Sequence, residues 1–273
     1  MNALKKIVKR SDYWSRLYRG VRDQLNRNLP LEDTSWGFKL SGHRGMASGE
    51  FEQEETKLVR DFLIKSDLFV NAGANIGYYV CHALSLQKEV IAIEPVCGNV
   101  HYLMKNMHAN EWSQNVEIYP LAAGEKQDIL PIWGGGTGAS LIKGWASNPV
   151  NYFDYVPVQT LDRIVNEKAK KQQLFILLDV EGYEYHLLKG ALKLLYNEPK
   201  PIWMVEITKT EHQPNDSGNP WFLETFKLFF NAGYRAFKGD RHQEEVLLED
   251  VEAMDERRCK STCINYIFKH NDL

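Results

Sequence analysis

The chain has 273 residues, 44% of them hydrophobic, 12% aromatic and 25% charged, which supplies a sizeable core and excludes a disordered segment. A formal net charge of -3 gives no global positive field to gather phosphates, so no nucleic-acid partner is expected. No run approaches the ~20 apolar residues that cross a bilayer, and the start MNALKKIVKR lacks the apolar run of a signal peptide; the expectation is a cytoplasmic protein.

Residues 1–28 carry eight Lys or Arg against Asp12 and Asp23, while Leu4, Ile7, Val8, Trp14, Leu17, Tyr18, Val21 and Leu25 recur at helical spacing. This predicts a basic amphipathic helix within an extension of residues 1–37. Such a helix either docks on its own domain, the favoured reading, or rests on anionic lipid as a peripheral membrane contact. Residues 38–273 are expected to form the main domain. Cys81, Cys97, Cys259 and Cys263 are too few and too scattered for a disulfide framework or a four-thiolate zinc site. They are read as structural thiols.

From residue 52 the pattern alternates. A helix is predicted over 52–64, a buried strand over 68–72, a helix over 77–86, a strand over 89–93, a helix over 98–110 and a strand over 116–121. That is βαβαβ, hence a parallel sheet with right-handed crossovers. Residues 124–158 break the rhythm with Gly134, Gly135, Gly136 and Gly138 and are read as an inserted hairpin or lid-like loop. A helix over 161–170, a strand over 174–179, a helix over 183–196 and a strand over 202–207 follow. The last elements are a helix over 221–232 and strands over 234–237 and 264–268, which makes seven strands.

Phe69-Val70-Asn71-Ala72-Gly73-Ala74-Asn75-Ile76-Gly77 is a strand that ends in a glycine turn and opens a helix. Glycines at 73 and 77 would let backbone N–H groups approach a cofactor. No register supplies the Gly-x-Gly-x-x-Gly of a dinucleotide site or the Gly-Lys-Ser/Thr of a P-loop. The turn instead resembles that of S-adenosylmethionine-dependent methyltransferases, with Asn75 replacing the middle glycine. Glu94, at the tip of the second strand, is placed to accept hydrogen bonds from ribose hydroxyls. Leu177-Leu178-Asp179-Val180-Glu181 delivers two further carboxylates at the sheet edge where ligands of open α/β folds bind.

Taken together, Gly-Ala-Asn-Ile-Gly (73–77), Ile-Glu-Pro (93–95), Thr160-Leu161-Asp162 and Asp-Val-Glu-Gly-Tyr-Glu (179–184) resemble the FkbM family of methyltransferases over about residues 38–210. Gly49-Glu50-Phe51-Glu52 and Ser140-Leu141 are also similar to its pattern. The resemblance implies a class I methyltransferase fold: an α/β, Rossmann-like three-layer sandwich around a mostly parallel seven-stranded sheet whose last strand is antiparallel. It implies S-adenosyl-L-methionine as donor and an oxygen nucleophile on a sugar or small metabolite as acceptor. Cofactor contacts fall on Asn71, Gly73, Asn75, Gly77, Glu94 and Asp179. Asn71 stands where the family more often has Asp, and so lacks a negative charge.

Methyl transfer to a hydroxyl requires alignment of acceptor, methyl and sulfur and removal of one proton. The catalytic candidates are Asp179, Glu181 and His212, with Asp179 first for its place at the strand tip. His186, on a predicted helix, is expected to pack against the sheet. Glu206 is an acceptor-side candidate. Asp179, Glu181 and Glu206 offer oxygen ligands of the type Mg²⁺ selects, but no metal is assigned. Aromatic residues from Trp133 to Tyr155 suit stacking on a sugar face. Against the enzyme stand a silent nucleoside-binding module, favoured by Asn71, and a nicotinamide oxidoreductase, disfavoured by the missing glycine register.

Overall fold

The structure, a computed structural model, describes residues 29–214, 218–257 and 263–270. The amphipathic helix predicted within residues 1–28 lies outside the described residues. Among them the strands are β1 (Glu32–Asp33), β2 (Lys39–Leu40), β3 (Leu68–Ala72), β4 (Glu89–Ile93), β5 (Val116–Tyr119), β6 (Ala122–Ala123), β7 (Asp128–Trp133), β8 (Phe153–Gln159), β9 (Leu174–Leu178), β10 (Ile202–Glu206), β11 (Arg235–Lys238), β12 (Glu245–Val246) and β13 (Asn265–Lys269). β3 and β9 are buried at every residue, as parallel strands covered on both faces must be. That is why they read as unbroken apolar runs rather than alternating ones.

The main sheet has the order β5-β4-β3-β9-β10-β13-β11-β12. β5, β4, β3, β9 and β10 are parallel, and β13 runs antiparallel between β10 and β11. The seven predicted strands are all present, the last in the chain is the reversed one, and a two-residue edge strand, β12, adds to them.

Side chains alternate across the sheet and fill two separate cores. Val70, Ile176, Leu178, Trp203 and Val205 meet Leu161, Leu187, Leu188, Phe222, Phe226 and Phe229 on one face. Phe69, Phe175, Leu177 and Met204 meet Val59, Phe62, Leu63, Val80 and Leu103 on the other. The result is three layers, helix on sheet on helix.

Several boundaries differ from the sequence reading. The division at residue 37 falls inside the β1–β2 hairpin, where Thr34 bonds to Phe38 and Trp36 stacks edge-on against His82; residues 29–37 pack on the main domain. The predicted 183–196 helix is two, Glu184–Lys189 and Leu192–Leu195. Gly190 separates them at a point where a Cβ would stand 2.0 Å from the Gly124 carbonyl oxygen. Asp162 caps the second piece, accepting from the Lys193 and Leu194 N–H groups at 3.0 Å each. The 161–170 helix is α-helical only over Leu161–Val165, then tightens into a 3₁₀ turn over Asn166–Ala169. A helix over Leu248–Arg257 had no reading. Residues 122–159 form a separate three-stranded sheet, order β6-β8-β7, with β7 and β8 antiparallel.

Among the described residues Cys81 and Cys97 are free thiols, and no helix is long and apolar enough to cross a membrane.

Candidate active site

The C-terminal ends of β3, β4 and β9 border a crevice closed on its outer side by the 136–141 loop. Its walls include Gly73, Asn75, Glu94, Asp179, Glu181 and Tyr183, with Ile93, Ala123, Ile132 and Leu141 supplying apolar surface. Five of the residues singled out in the sequence therefore meet here. Asn71, Gly77 and His212 are not on this wall.

The turn after β3 is built for its protein neighbours first. Gly73 has φ +86°, and a Cβ there would lie 1.7 Å from the Asp179 carbonyl oxygen. Gly77 has φ +88°, and its Cβ would lie 2.4 Å from Leu103 Cδ1. Whatever space they leave for a ligand, these glycines have a packing reason as well: strand tip and helix pack where a side chain would be. Asn75 is itself left-handed, φ +51°, and its Oδ1 accepts from the Ile76 N–H at 2.8 Å.

Glu94 ties this turn to the next. Its Oε2 accepts from the Asn75 N–H at 2.8 Å, and its Oε1 accepts from the Val96 N–H at 2.8 Å and from Asn99 Nδ2 at 3.1 Å. A carboxylate offers about four acceptor positions, so room for a ribose hydroxyl is reduced but not exhausted. Burial raises the Glu94 pKa to about 7 despite these bonds. Asn99 was not anticipated; five residues past Glu94 on the next helix, it also donates to the Gly136 carbonyl at 3.1 Å and so links the crevice floor to its loop.

Glu181 holds that loop from the opposite side. Its Oε2 accepts from the Trp145 indole N–H at 2.6 Å, and its carbonyl accepts from Ser140 Oγ at 2.6 Å. Trp145 is fully buried and lies against Gly182, where a Cβ would come within 2.4 Å of the ring. The carboxylate proposed as a base is thus partly committed to anchoring a flap. Glu184 is likewise engaged, accepting from the Gly182 and Val180 N–H groups at 3.0 and 3.3 Å, and burial lifts its pKa to about 7. His212 is exposed, with its ring 5.8 Å from that of Trp145 and its carbonyl accepting from the Ala146 N–H at 2.7 Å. His186 stands between Tyr183 and Trp221 rings, in a packing role.

Asp179 also belongs to a concentration of carboxyl groups. Glu181, Glu184, Glu55 and Glu52 act electrostatically on Asp179, and Asp179, Glu184, Glu181 and Glu55 act on Glu206. Tyr79 donates to Glu52 and Glu55 at 2.9 Å, and Asn265 Nδ2 donates to Glu55 at 2.7 Å. Burial and the Glu52 charge raise Glu55 to about 7. The buried Asn71 amide nitrogen has no hydrogen-bond partner among the described residues. Among the described residues no group of His, Cys, Asp and Glu has the arrangement of a metal site.

Residues 71–236 match the family described as Methyltransferase FkbM domain. The chain belongs to the FkbM methyltransferase family. The match runs from Asn71 in β3 to Ala236 in β11, and the sheet, with its reversed β13 between β10 and β11, has the class I methyltransferase architecture. Among solved structures, a Methyltransferase FkbM from Methylobacillus flagellatus KT is 20% identical with a TM-score of 0.44, the alignment covering 75% of this chain and 44% of that one. The chain therefore spans under half the length of that FkbM relative. An O-methyltransferase from Bacillus cereus, solved in complex with SAH, is 13% identical with a TM-score of 0.43, covering 97% of this chain and 96% of that one. No curated protein matches the chain.

Proposed function

We propose that this FkbM-family chain is an S-adenosylmethionine-dependent O-methyltransferase whose acceptor is a hydroxyl of a carbohydrate or of a glycosylated small metabolite. The observation that carries the reading is the crevice itself. The Gly73–Asn75 turn, Glu94 and Asp179 share one wall, and the charges that act most strongly on Asp179 and Glu206 are those of other acids. Carboxyl groups crowded in a partly desolvated site are relieved by a cationic ligand, which favours their ionised form.

When bound, the donor supplies an electrophilic methyl group on a positively charged sulfur. The chain has three tasks around it. Glu94 and the 73–77 turn fix the nucleoside end, with Ile93, Ala123, Ile132 and Leu141 giving the adenine an apolar surround. The 136–148 flap, pinned through Trp145 and Ser140 to Glu181, limits water. Asp179 is the wall carboxyl that takes the acceptor's proton. Support for a sugar acceptor comes from the outer face of the β7–β8 hairpin, where Trp133 pairs with Phe153 and Pro131 with Tyr155 in register and Tyr155 is 67% exposed; such rings stack on the apolar faces of sugars.

Calorimetry with S-adenosylmethionine and with NADH tests the crevice: binding of the first alone is expected, and binding of NADH alone would overturn the assignment. Transfer of labelled methyl groups from the donor to a glycan extract tests the activity. Donor binding without any transfer would favour a silent binding module.

A further inference from the structure

β9 and β10 are paired so that Leu178 faces Val205, which brings the next residues, Asp179 and Glu206, side by side at the strand tips. Leu177 and Met204 belong to the same face of the sheet, and alternation puts Asp179 and Glu206 on that face too. The register continues to Asn265, opposite Glu206 on β13. Every other carboxylate around them is engaged: Glu94 by three N–H donors, Glu181 by Trp145, Glu184 by two backbone N–H groups, and Glu52 and Glu55 by Tyr79 and Asn265. Neither the Asp179 nor the Glu206 carboxyl accepts a hydrogen bond from any described residue, and both side chains are half-buried. Two adjacent half-buried carboxylates whose strongest electrostatic neighbours are other acids resist being ionised together.

We propose that Asp179 and Glu206 are a carboxyl pair that holds a shared proton in the free protein, and that the sulfonium charge of the methyl donor expels this proton, so that donor binding itself arms the base for the acceptor hydroxyl. The inference rests on the reading of the crevice as a donor site. Its chemical balance is simple. The pair gives one proton to solvent as the cation arrives, and the freed carboxylate then accepts the acceptor's O–H proton. The acceptor oxygen bonds to the methyl carbon while the carbon–sulfur bond breaks, its electron pair passing to sulfur. With the cation gone, the proton stays on the pair and product leaves a site returned to its starting charge.

The charges that act most strongly on the pair are Glu181 and Glu184 beyond β9, and Glu55 and Glu52 from the helix Gln53–Ile64 and the residue before it, all of them acids. Tyr79 and Asn265 contribute only neutral donors, and both of these point to Glu52 or Glu55. Desolvation and these like charges raise the affinity of the pair for a proton well above that of ordinary carboxylates. An opposite charge within ~4–6 Å strengthens a carboxyl's acidity about tenfold to a thousandfold, enough to discharge one of the two.

The test needs no acceptor. S-adenosylmethionine and the neutral product S-adenosylhomocysteine are titrated into the full chain by calorimetry, near neutral pH, in two buffers of different ionisation heat. Release of close to one more proton with the sulfonium ligand than with the neutral one is expected, and Glu206→Gln and Asp179→Asn are each expected to abolish the difference. Equal proton counts for the two ligands, or a difference that survives both substitutions, would overturn the proposal. If the variants do not fold, the wild-type protein still decides: the affinity ratio of the two ligands should rise by up to tenfold per pH unit through neutrality, and a flat ratio counts against the pair. Failure of both ligands to bind would instead overturn the donor reading of the crevice.

Discussion

Gly73 and Asp179 touch through their backbones: a methyl group built on Gly73 would stand 1.7 Å from the Asp179 carbonyl oxygen. The Asp179 N–H in turn donates to the Ala72 carbonyl at 3.0 Å, so the tips of β3 and β9 are joined directly beneath the crevice. Because the obstacle is backbone, it cannot swing away. Gly73→Ala is therefore expected to lose more than about 4 kcal/mol, the range of severe backbone disruption, and to be recovered as aggregate. Gly77→Ala meets only the end of the Leu103 side chain and should be milder. In a double-mutant cycle Leu103→Ala should recover part of its cost, with a coupling of about 1 kcal/mol or more. Additive losses in chemical denaturation would show that φ, rather than Leu103, sets the penalty.

Glu94 ties two turns together and is the proposed ribose contact. Glu94→Ala strands the Asn75 and Val96 N–H groups and one Asn99 hydrogen, at about 1–3 kcal/mol for each group left without a partner. A melting temperature lower by roughly 4–10 °C is expected. Donor affinity measured by calorimetry should fall at least tenfold, and an unchanged affinity would remove Glu94 from the ribose site.

Stability should depend on pH in the sense opposite to that of a salt-bridged acid. Glu94 and Glu184 are buried with pKa values raised to about 7, and Glu55, half-buried, is raised to a similar value. The folded chain binds these protons more tightly than the unfolded chain, whose carboxyls titrate near 4.5. Their contribution is thus complete below about pH 4.5 and is lost as pH rises through 7. Urea unfolding is expected to give a free energy about 1–3 kcal/mol higher at pH 5.5 than at pH 8. A value that rises toward pH 8 would contradict the burial of these groups.

Trp145 and Glu181 govern the flap. Trp145→Phe deletes the indole N–H that lowers the Glu181 pKa, so the Glu181 carboxyl should titrate higher in the variant. Gly182→Ala drives a Cβ into the same ring. Both should speed amide exchange at Trp145, Ala146 and Asn148, whose N–H groups donate to the Ile142, His212 and Trp145 carbonyls. Exchange in β3 and β4 should stay as it was, and uniform acceleration would mean global destabilisation instead.

Apolar runs at 68–72, 89–93, 174–178 and 202–206 made the parallel core legible, because a strand buried on both faces has little freedom in composition. The turn at 73–77, Glu94 and Asp179 were legible for a related reason. Each follows a strand by the fewest possible residues, so chain order alone puts them on one edge. The break of the 183–196 helix was not legible, since it depends on Gly190 meeting the Gly124 carbonyl across 66 positions of sequence. Nor was the commitment of Glu181 to Trp145, which lies on an irregular loop with no period to place it.

By itself the sequence determined the alternation of strands and helices, the family and the edge of the sheet where chemistry gathers, since these follow from local periodicity and from residues a few positions apart. Tertiary structure alone decided why Gly73 and Gly77 are glycine, which carboxylates are occupied and which are left free, and that Asp179 stands beside Glu206. Those facts depend on strand register and on the contacts of remote loops, and a carboxylate looks the same in a sequence whether a donor faces it or not.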